Sequence, residues 1–182
     1  MNSQTTDLRY PIGKFSLPGE MTPGRIAAWI DDISALPRDL RRTVSPLTDG
    51  QLDTPYRPGG WTVRQVVHHL ADSHMNSYIR FKLALTEERP VIKAYDEKSW
   101  AELPDSREPI ASSLDLLSAL HRRWADLLRG LSRAQLQREF VHPESGASRL
   151  EVMVAAYSWH GRHHLAHIQR LLEREGWGAA VS

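Results

Sequence analysis

The sequence contains no cysteine. That excludes disulfides, thiolate nucleophiles and every cysteine-ligated metal site, and it suits a reducing compartment. Charge of one sign is also lacking. The 23 basic and 22 acidic side chains leave a formal net charge of +1, too weak a field to gather nucleic acid or a membrane surface. The longest apolar run, Val152-Met153-Val154-Ala155-Ala156-Tyr157, falls far short of the ~20 residues a membrane span needs. At the start, MNSQTTDLRY has no basic segment followed by an apolar one, so no secretory signal is readable. Neither a Gly-x-Ser-x-Gly elbow, a phosphate loop, a dinucleotide fingerprint, a His-Glu-x-x-His pair nor an EF-hand loop occurs. The short clusters Arg38, Arg41, Arg42 and Arg122, Arg123 read as solvated helix faces. The expectation is a cytoplasmic protein of one domain, 1–182, with no nucleic-acid or membrane partner. Its 41% hydrophobic content suffices for one core.

Histidine is what the chain has in plenty. Of nine, seven fall in two windows: His68, His69 and His74, then His160, His163, His164 and His167.

Residues 1–21, with Pro11, Pro18, Gly13 and Gly19, read as an irregular arm. Thr22-Pro23 then signals a helix start, an N-cap followed by proline at the first helical position. Apolar side chains recur at helical spacing at Ile26, Trp29, Ile30, Ile33, Leu40, Val44 and Leu47. Pro37 should kink that helix or break it in two. Thr62 and Gln65 form a capping box opening a second helix, striped with Val63, Val66, Val67, Leu70, Tyr78, Phe81 and Leu85. The stretch 87–111 breaks every period with Pro90, Pro104 and Pro109, leaving room for a helical turn or two at Asp96–Leu103. A third helix is expected from Ser112 to Arg129, ended by Gly130. Ser148 and Glu151 form a further capping box, and a fourth helix runs from there to Glu175, stopped by Gly176. Nothing asks for a sheet, since there is no alternating β-branched run and no hairpin signal between two such runs.

The fold class is therefore all-α, a four-helix bundle. The stretch 87–111 is too long for a tight antiparallel turn, so we expect one long crossover connection, placed across an end of the bundle, with two helices running parallel. A short repeat, Leu47-Thr48-Asp49-Gly50-Gln51-Leu52 and Leu131-Ser132-Arg133-Ala134-Gln135-Leu136, pairs a capping box with a leucine staple each time. Each copy precedes a capped, histidine-bearing helix. Such boxes are common at helix starts; a true two-fold repeat would put the two histidine helices in equivalent positions.

At about 100° per residue, His160, His164 and His167 share one stripe of the fourth helix with Met153, Ala156 and Leu171. Three buried imidazoles are costly without partners. A divalent cation serves them efficiently, because histidines at i and i+4 can share one ion; separate hydrogen bonds to carbonyls or carboxylates are the plainer alternative. A third ligand from the second helix would be His74 by its place on the stripe, with His69 at the margin and His68 further round.

The segment from Pro58-Gly59-Gly60-Trp61-Thr62-Val63-Arg64-Gln65 through His68-His69-Leu70-Ala71-Asp72-Ser73-His74 to Phe81-Lys82 closely resembles the YfiT-type metal-dependent hydrolases of the DinB-like superfamily. The likeness extends to Tyr10-Pro11-Ile12-Gly13, Asp53-Thr54-Pro55-Tyr56-Arg57, Tyr95-Asp96-Glu97-Lys98 and the fourth helix. The resemblance implies a four-helix bundle, a homodimer, and one divalent ion held by His69, His160 and His164, displacing His74 from the ligand set. Family members carry a further histidine where this chain has Gly161-Arg162, and Gly161 weakens a helix by about 1 kcal/mol relative to alanine.

Three neutral imidazoles suit zinc or nickel, and iron less exclusively; ligand type alone does not choose, and zinc is the first expectation with nickel the alternative. Three protein ligands leave open positions, as in a catalytic site; His74 or His167 completing the shell would make it structural. Asp72, three residues after His69, is a candidate for orienting a ring or acting as general base, although most aspartates on helices are simply solvated. Tyr157, Tyr95 and Trp100 are candidates for the pocket wall, although such aromatics are usually core. The first expectation is a hydrolase that activates water for a small-molecule substrate. An alternative, implied by relatives in the superfamily, is a transferase joining a low-molecular-weight thiol (bacillithiol, mycothiol or glutathione) to an electrophile, the ion stabilising the thiolate. A third is a non-catalytic helical dimer whose ion only staples two helices.

Overall fold

The computed structural model describes residues 7–17 and 19–177. Four long helices dominate it: α1 (Pro23–Val44), α3 (Val63–Thr86), α5 (Ala111–Arg129) and α7 (Leu150–Glu175). Between them lie the one-turn helices α2 (Asp49–Leu52), α4 (Glu97–Ala101) and α6 (Arg133–Leu136), and a 3₁₀ turn at Pro104–Arg107. Two of the starts are where the capping signals put them: Thr22 caps α1, and Thr62 with Gln65 closes a reciprocal capping box on α3. Gly176 ends α7 in the left-handed conformation at φ +68°, which glycine adopts without a steric cost. Of the expected N-terminal arm, residues 1–6 and Pro18 lie outside the described residues; the described part is neither helix nor strand.

Helix directions follow from the side chains that meet. His68 bonds Ser113, His74 stacks on His121, and Phe81 packs on Trp124, so α3 and α5 advance in parallel. Against α7 the order reverses, His69 meeting His164 and Ser73 meeting Tyr157. Antiparallel contacts also join α1 to α5, where Arg41 pairs with Asp115 and Ile33 meets His121. Each of α1 and α3 packs against both α5 and α7, so α1 lies diagonal to α3 and α5 to α7, while the consecutive pair α3 and α5 are neighbours. The crossover that allows this is the expected one, but it does not lie across an end. It returns along the flank of α3: Arg80 donates to the Lys93 carbonyl, Gln65 to that of Ala101, and His68 bonds that of Glu108. A parallel connection has to travel the length of the helix it bypasses, ~36 Å for 24 residues.

Three local expectations need correction. Of the two outcomes expected at Pro37, a kink or a break, the break does not occur: α1 is continuous from Pro23 to Val44. Secondly, a short antiparallel hairpin, β1 (Glu139–His142) and β2 (Gly146–Arg149), stands where no sheet was expected. Its strands are four residues each with one buried side chain in β1, Phe140, too short to show period-two patterning. The turn chemistry is nonetheless there, with Pro143 after β1 and Gly146 at φ +81°. His142 Nδ1 accepts from the Glu144 and Ser145 amides inside that turn. Thirdly, Ser148 does not cap α7, because it is paired with Phe140 in the hairpin; Arg149 stands at the cap position without a side-chain bond.

The six-residue repeat is real at the local level. Both α2 and α6 close capping boxes, on Thr48 and Ser132, with nearly the same backbone angles. Each then leads through an antiparallel pairing, Pro55 with Thr62 or β1 with β2, into a histidine-bearing helix.

Two apolar clusters fill the bundle. One gathers Leu36, Leu40, Val44, Val63, Val66, Val67, Leu70, Leu117, Ile168 and Leu171. The other gathers Ile30, Ile33, Phe81, Trp124, Leu128, Phe140, Leu150 and Val154. On α5 and α7 the residues between the two clusters include His121 and the run His160–His167, and on α3 they include His74. A belt of imidazoles thus crosses the middle of the core. Such a belt is costly unless its nitrogens are used.

Candidate metal centre

His69 on α3 and His160 and His164 on α7 each bring a ring nitrogen within 4.8 Å of the others. His69 and His164 are buried and His160 is partly so. The closest pair, His69 Nε2 and His160 Nε2, are 3.3 Å apart. Two imidazole nitrogens on a tetrahedral ion with bonds of 2.0–2.1 Å are separated by about 3.3 Å. The rings also lie in the protonation state a ligand needs. Burial holds His69 down at about 4, and burial with the neighbouring histidines holds His160 and His164 well below their ordinary value. Neutral imidazoles with lone pairs converging in a buried space fit a divalent cation. Trp61 covers the set from the loop before α3, its ring 4.6 Å from that of His69.

The other histidines are occupied elsewhere. His74 is fully buried, and its Nε2 lies 3.1 Å from His160 Nδ1, on the opposite side of the His160 ring from Nε2. It therefore stands behind a candidate ligand, and its central place on the apolar stripe reflects burial. His167 Nε2 donates to the Arg9 carbonyl at 3.1 Å, and its ring stacks on Tyr56 at 4.1 Å. The stripe that joined it to His160 and His164 thus ends under the N-terminal arm. His68 is a satisfied core histidine, bonded to Ser113 Oγ and the Glu108 carbonyl. Among the described residues no fourth group joins the set of three.

Asp72 lies one turn along α3 from His69, and its carboxylate has no hydrogen-bond or ion-pair partner among the described residues. Burial first, and repulsion from Asp105 second, push it up to about 6. The half-buried Tyr95 phenol nearby is pushed upward, chiefly by burial. Tyr95 packs on Trp100 at 4.4 Å within the crossover. Tyr157 bonds Ser73 through its hydroxyl and touches the His74 and His160 rings.

Two buried histidines escaped the sequence reading. His121 sits between Leu117, Leu120 and Trp124 on the stripe of α5, so helical spacing alone could have singled it out. His163 is stacked on Trp159 at 4.3 Å and lies against His167 at 4.2 Å; being off the stripe, it gave no such signal. The departures at Gly161 and Arg162 belong to the seam with α1. A Cβ at Gly161 would lie 2.6 Å from Leu36 Cδ2, and Arg162 pairs with Asp32.

The DinB superfamily model matches residues 32–168. A protein of Bacillus mycoides is 57% identical over 171 residues, covering 94% of this chain and 99% of its own length. One of Oceanobacillus iheyensis is 59% identical over 169 residues, with 93% and 98% covered. Both bear the name "Putative metal-dependent hydrolase". YfiT from Bacillus subtilis, described as "a probable metal-dependent hydrolase with an unusual four-helix bundle topology", superimposes with a TM-score of 0.91 at 52% identity, covering 94% of this chain and 99% of that one. The chain belongs to the DinB superfamily, among its YfiT-like members.

Proposed function

We propose that this protein is a metal-dependent hydrolase acting on a small-molecule substrate. The observation that carries the reading is the convergence of three neutral imidazoles, His69 and His164 buried and His160 partly so, with no fourth protein donor among the described residues. A closed four-ligand shell would favour a structural staple; three ligands favour a site with positions left for water and substrate. A bound divalent cation, for which zinc is our first expectation and nickel the second, would supply Lewis acidity and lower the pKa of water towards ~7.

The remaining chemistry falls to the chain's own residues. His69, on α3, and the i, i+4 pair on α7 hold the ligand nitrogens on two different helices, so the site forms only when the bundle does. Asp72 is suited to general-base work: a carboxylate at about 6 is ionised at neutral pH yet basic enough to accept a proton from water. Trp61 shields one side of the set, its ring lying against those of His69 and His164. We further assign the chain to a single domain, 1–182, working in the cytoplasm as a homodimer. No helix among the described residues is long and apolar enough to cross a membrane.

The test uses protein prepared without affinity resin and a panel of ester, amide and phosphoester substrates. Hydrolysis should vanish on saturating chelation, return with zinc, and be absent from His160→Ala. Full activity of the chelated protein, or of His160→Ala, would refute the reading. A reaction that proceeds only with an added low-molecular-weight thiol would reassign the same centre to thiol transfer.

A further inference from the structure

Pro37 has no amide hydrogen, so the carbonyl of Ile33, four residues earlier, has no helical donor. His121 fills that vacancy: its Nδ1 hydrogen-bonds the Ile33 carbonyl across the α1–α5 seam. A carbonyl can only accept, so His121 carries its proton on Nδ1, and the bond fixes its ring plane. The His121 ring stacks on His74, centroids 4.8 Å apart and planes within 17°. Trp124 and Tyr157 meet His74 edge-on at 5.8 and 5.0 Å. The fully buried His74 ring is thus clamped on several sides, with Nε2 aimed at His160 Nδ1. One residue from each long helix takes part: Ile33, His121, His74 and His160.

We propose that His74 is the positioning residue of the metal centre: its Nε2 accepts the Nδ1–H of His160 and so turns the other nitrogen of His160, unprotonated, towards His69 and His164. The inference rests on the metal-binding reading above. An imidazole that ligates through Nε2 must carry its proton on Nδ1, and that proton needs an acceptor in a buried site. Carboxylates or backbone carbonyls usually serve. Here the acceptor is a neutral imidazole, whose own proton is then confined to Nδ1. No partner meets that Nδ1 among the described residues, so nothing local reinforces the opposite tautomer of His74. The alternative, His74 donating from Nε2, would place the His160 proton on Nε2, inside the ligand set, and would block binding there.

The test is zinc affinity of the full chain, measured by competition with a chromophoric chelator, for four proteins. His74→Phe keeps a flat ring in the clamp but removes the acceptor. His74→Gln can place an amide oxygen near the Nε2 position, whereas His74→Asn reaches only the Nδ1 position. Affinity should fall 10- to 100-fold in His74→Phe and His74→Asn, and His74→Gln should recover most of it. If His74→Phe does not fold, His74→Asn carries the same comparison. In the zinc-loaded wild type, ¹⁵N imidazole shifts should show His74 protonated on Nδ1 and bare at Nε2. Tight zinc binding by the wild type together with unchanged affinity in His74→Phe or His74→Asn, or a His74 protonated on Nε2, overturns the positioning role alone. A wild type that binds no zinc brings down the metal reading itself, and this inference with it.

Discussion

The imidazole belt makes the stability of the metal-free protein fall steeply in mild acid. Consider lowering the pH from 7.5 to 5.5 in the presence of chelator. Unfolded histidines, at about 6.5, become ~90% protonated over that interval. His69, His121 and His163, held at about 4 by burial, do not. A histidine with a depressed folded pKa contributes stability above its unfolded value and loses it as the pH falls towards the folded one. The loss at pH 5.5 is about 1.4 kcal/mol per side chain, or about 4 kcal/mol for the three. His74, His160, His164 and His167 are shifted in the same direction and add to it. Asp72 works the other way. Its carboxyl, raised to about 6, regains a proton in this range and returns somewhat under ~1 kcal/mol. The net loss should be at least about 3 kcal/mol, set against a typical total of 5–15 kcal/mol. Urea denaturation at the two pH values, at fixed ionic strength, measures it. A difference below ~1 kcal/mol would mean that the belt is solvated or already protonated, and the reasoning would fail.

Other outcomes follow from single contacts. Asp72→Asn should lower kcat at least ~100-fold if the carboxylate is the base. The same change should stabilise the protein at pH 7.5 by about 1–2 kcal/mol, after allowing for partial exposure, and by nothing near pH 3.5, because the cost of this carboxyl is absent below its unfolded pKa, grows as the pH rises from there, and is complete only above its raised value of about 6. Equal activity, or stabilisation that persists in acid, would contradict this. Gly161→Ala should destabilise by about 1–2 kcal/mol despite its better helix propensity, since the new Cβ meets the buried Leu36 at 2.6 Å; Leu36→Ala in the same chain should remove the penalty of the alanine in thermal melts. His121→Phe should cost about 1–3 kcal/mol by leaving the Ile33 carbonyl unpaired. Pro37→Ala, which restores an amide hydrogen to that carbonyl, should shrink the cost in a double-mutant cycle.

Much of the fold was written in helix punctuation. Thr22-Pro23, the Thr62/Gln65 box and Gly176 mark real ends because each satisfies a backbone group of its own turn, which local sequence can encode. The parallel α3–α5 pair was legible from the length of 87–111 alone. What local patterns could not give was the path of that connection, which is set by Arg80, Gln65 and His68 reaching carbonyls 13 to 40 residues away. The hairpin at 139–149 was missed because four-residue strands with one buried side chain carry no period, and Ser148 imitated a helix cap. At the site, helical spacing found the i, i+4 pair on α7 but chose His74 over His69. A stripe reports burial, and the deepest histidine sits behind His160, while the marginal one joins the set of three. Only the family resemblance distinguished them. Nothing in sequence spacing links Pro37 to His121, because that bond exists only across a tertiary seam.

The central claim is that His69, His160 and His164 hold one divalent cation with room left for water. Cobalt(II) titrated into the metal-free protein tests it directly, through the intensity of the visible d–d bands. One equivalent should bind, with bands of a four- or five-coordinate centre that respond to added small anions, and no such bands should appear in His160→Ala. The absence of stoichiometric binding, or a spectrum indifferent to every added anion and retained in His160→Ala, would contradict it.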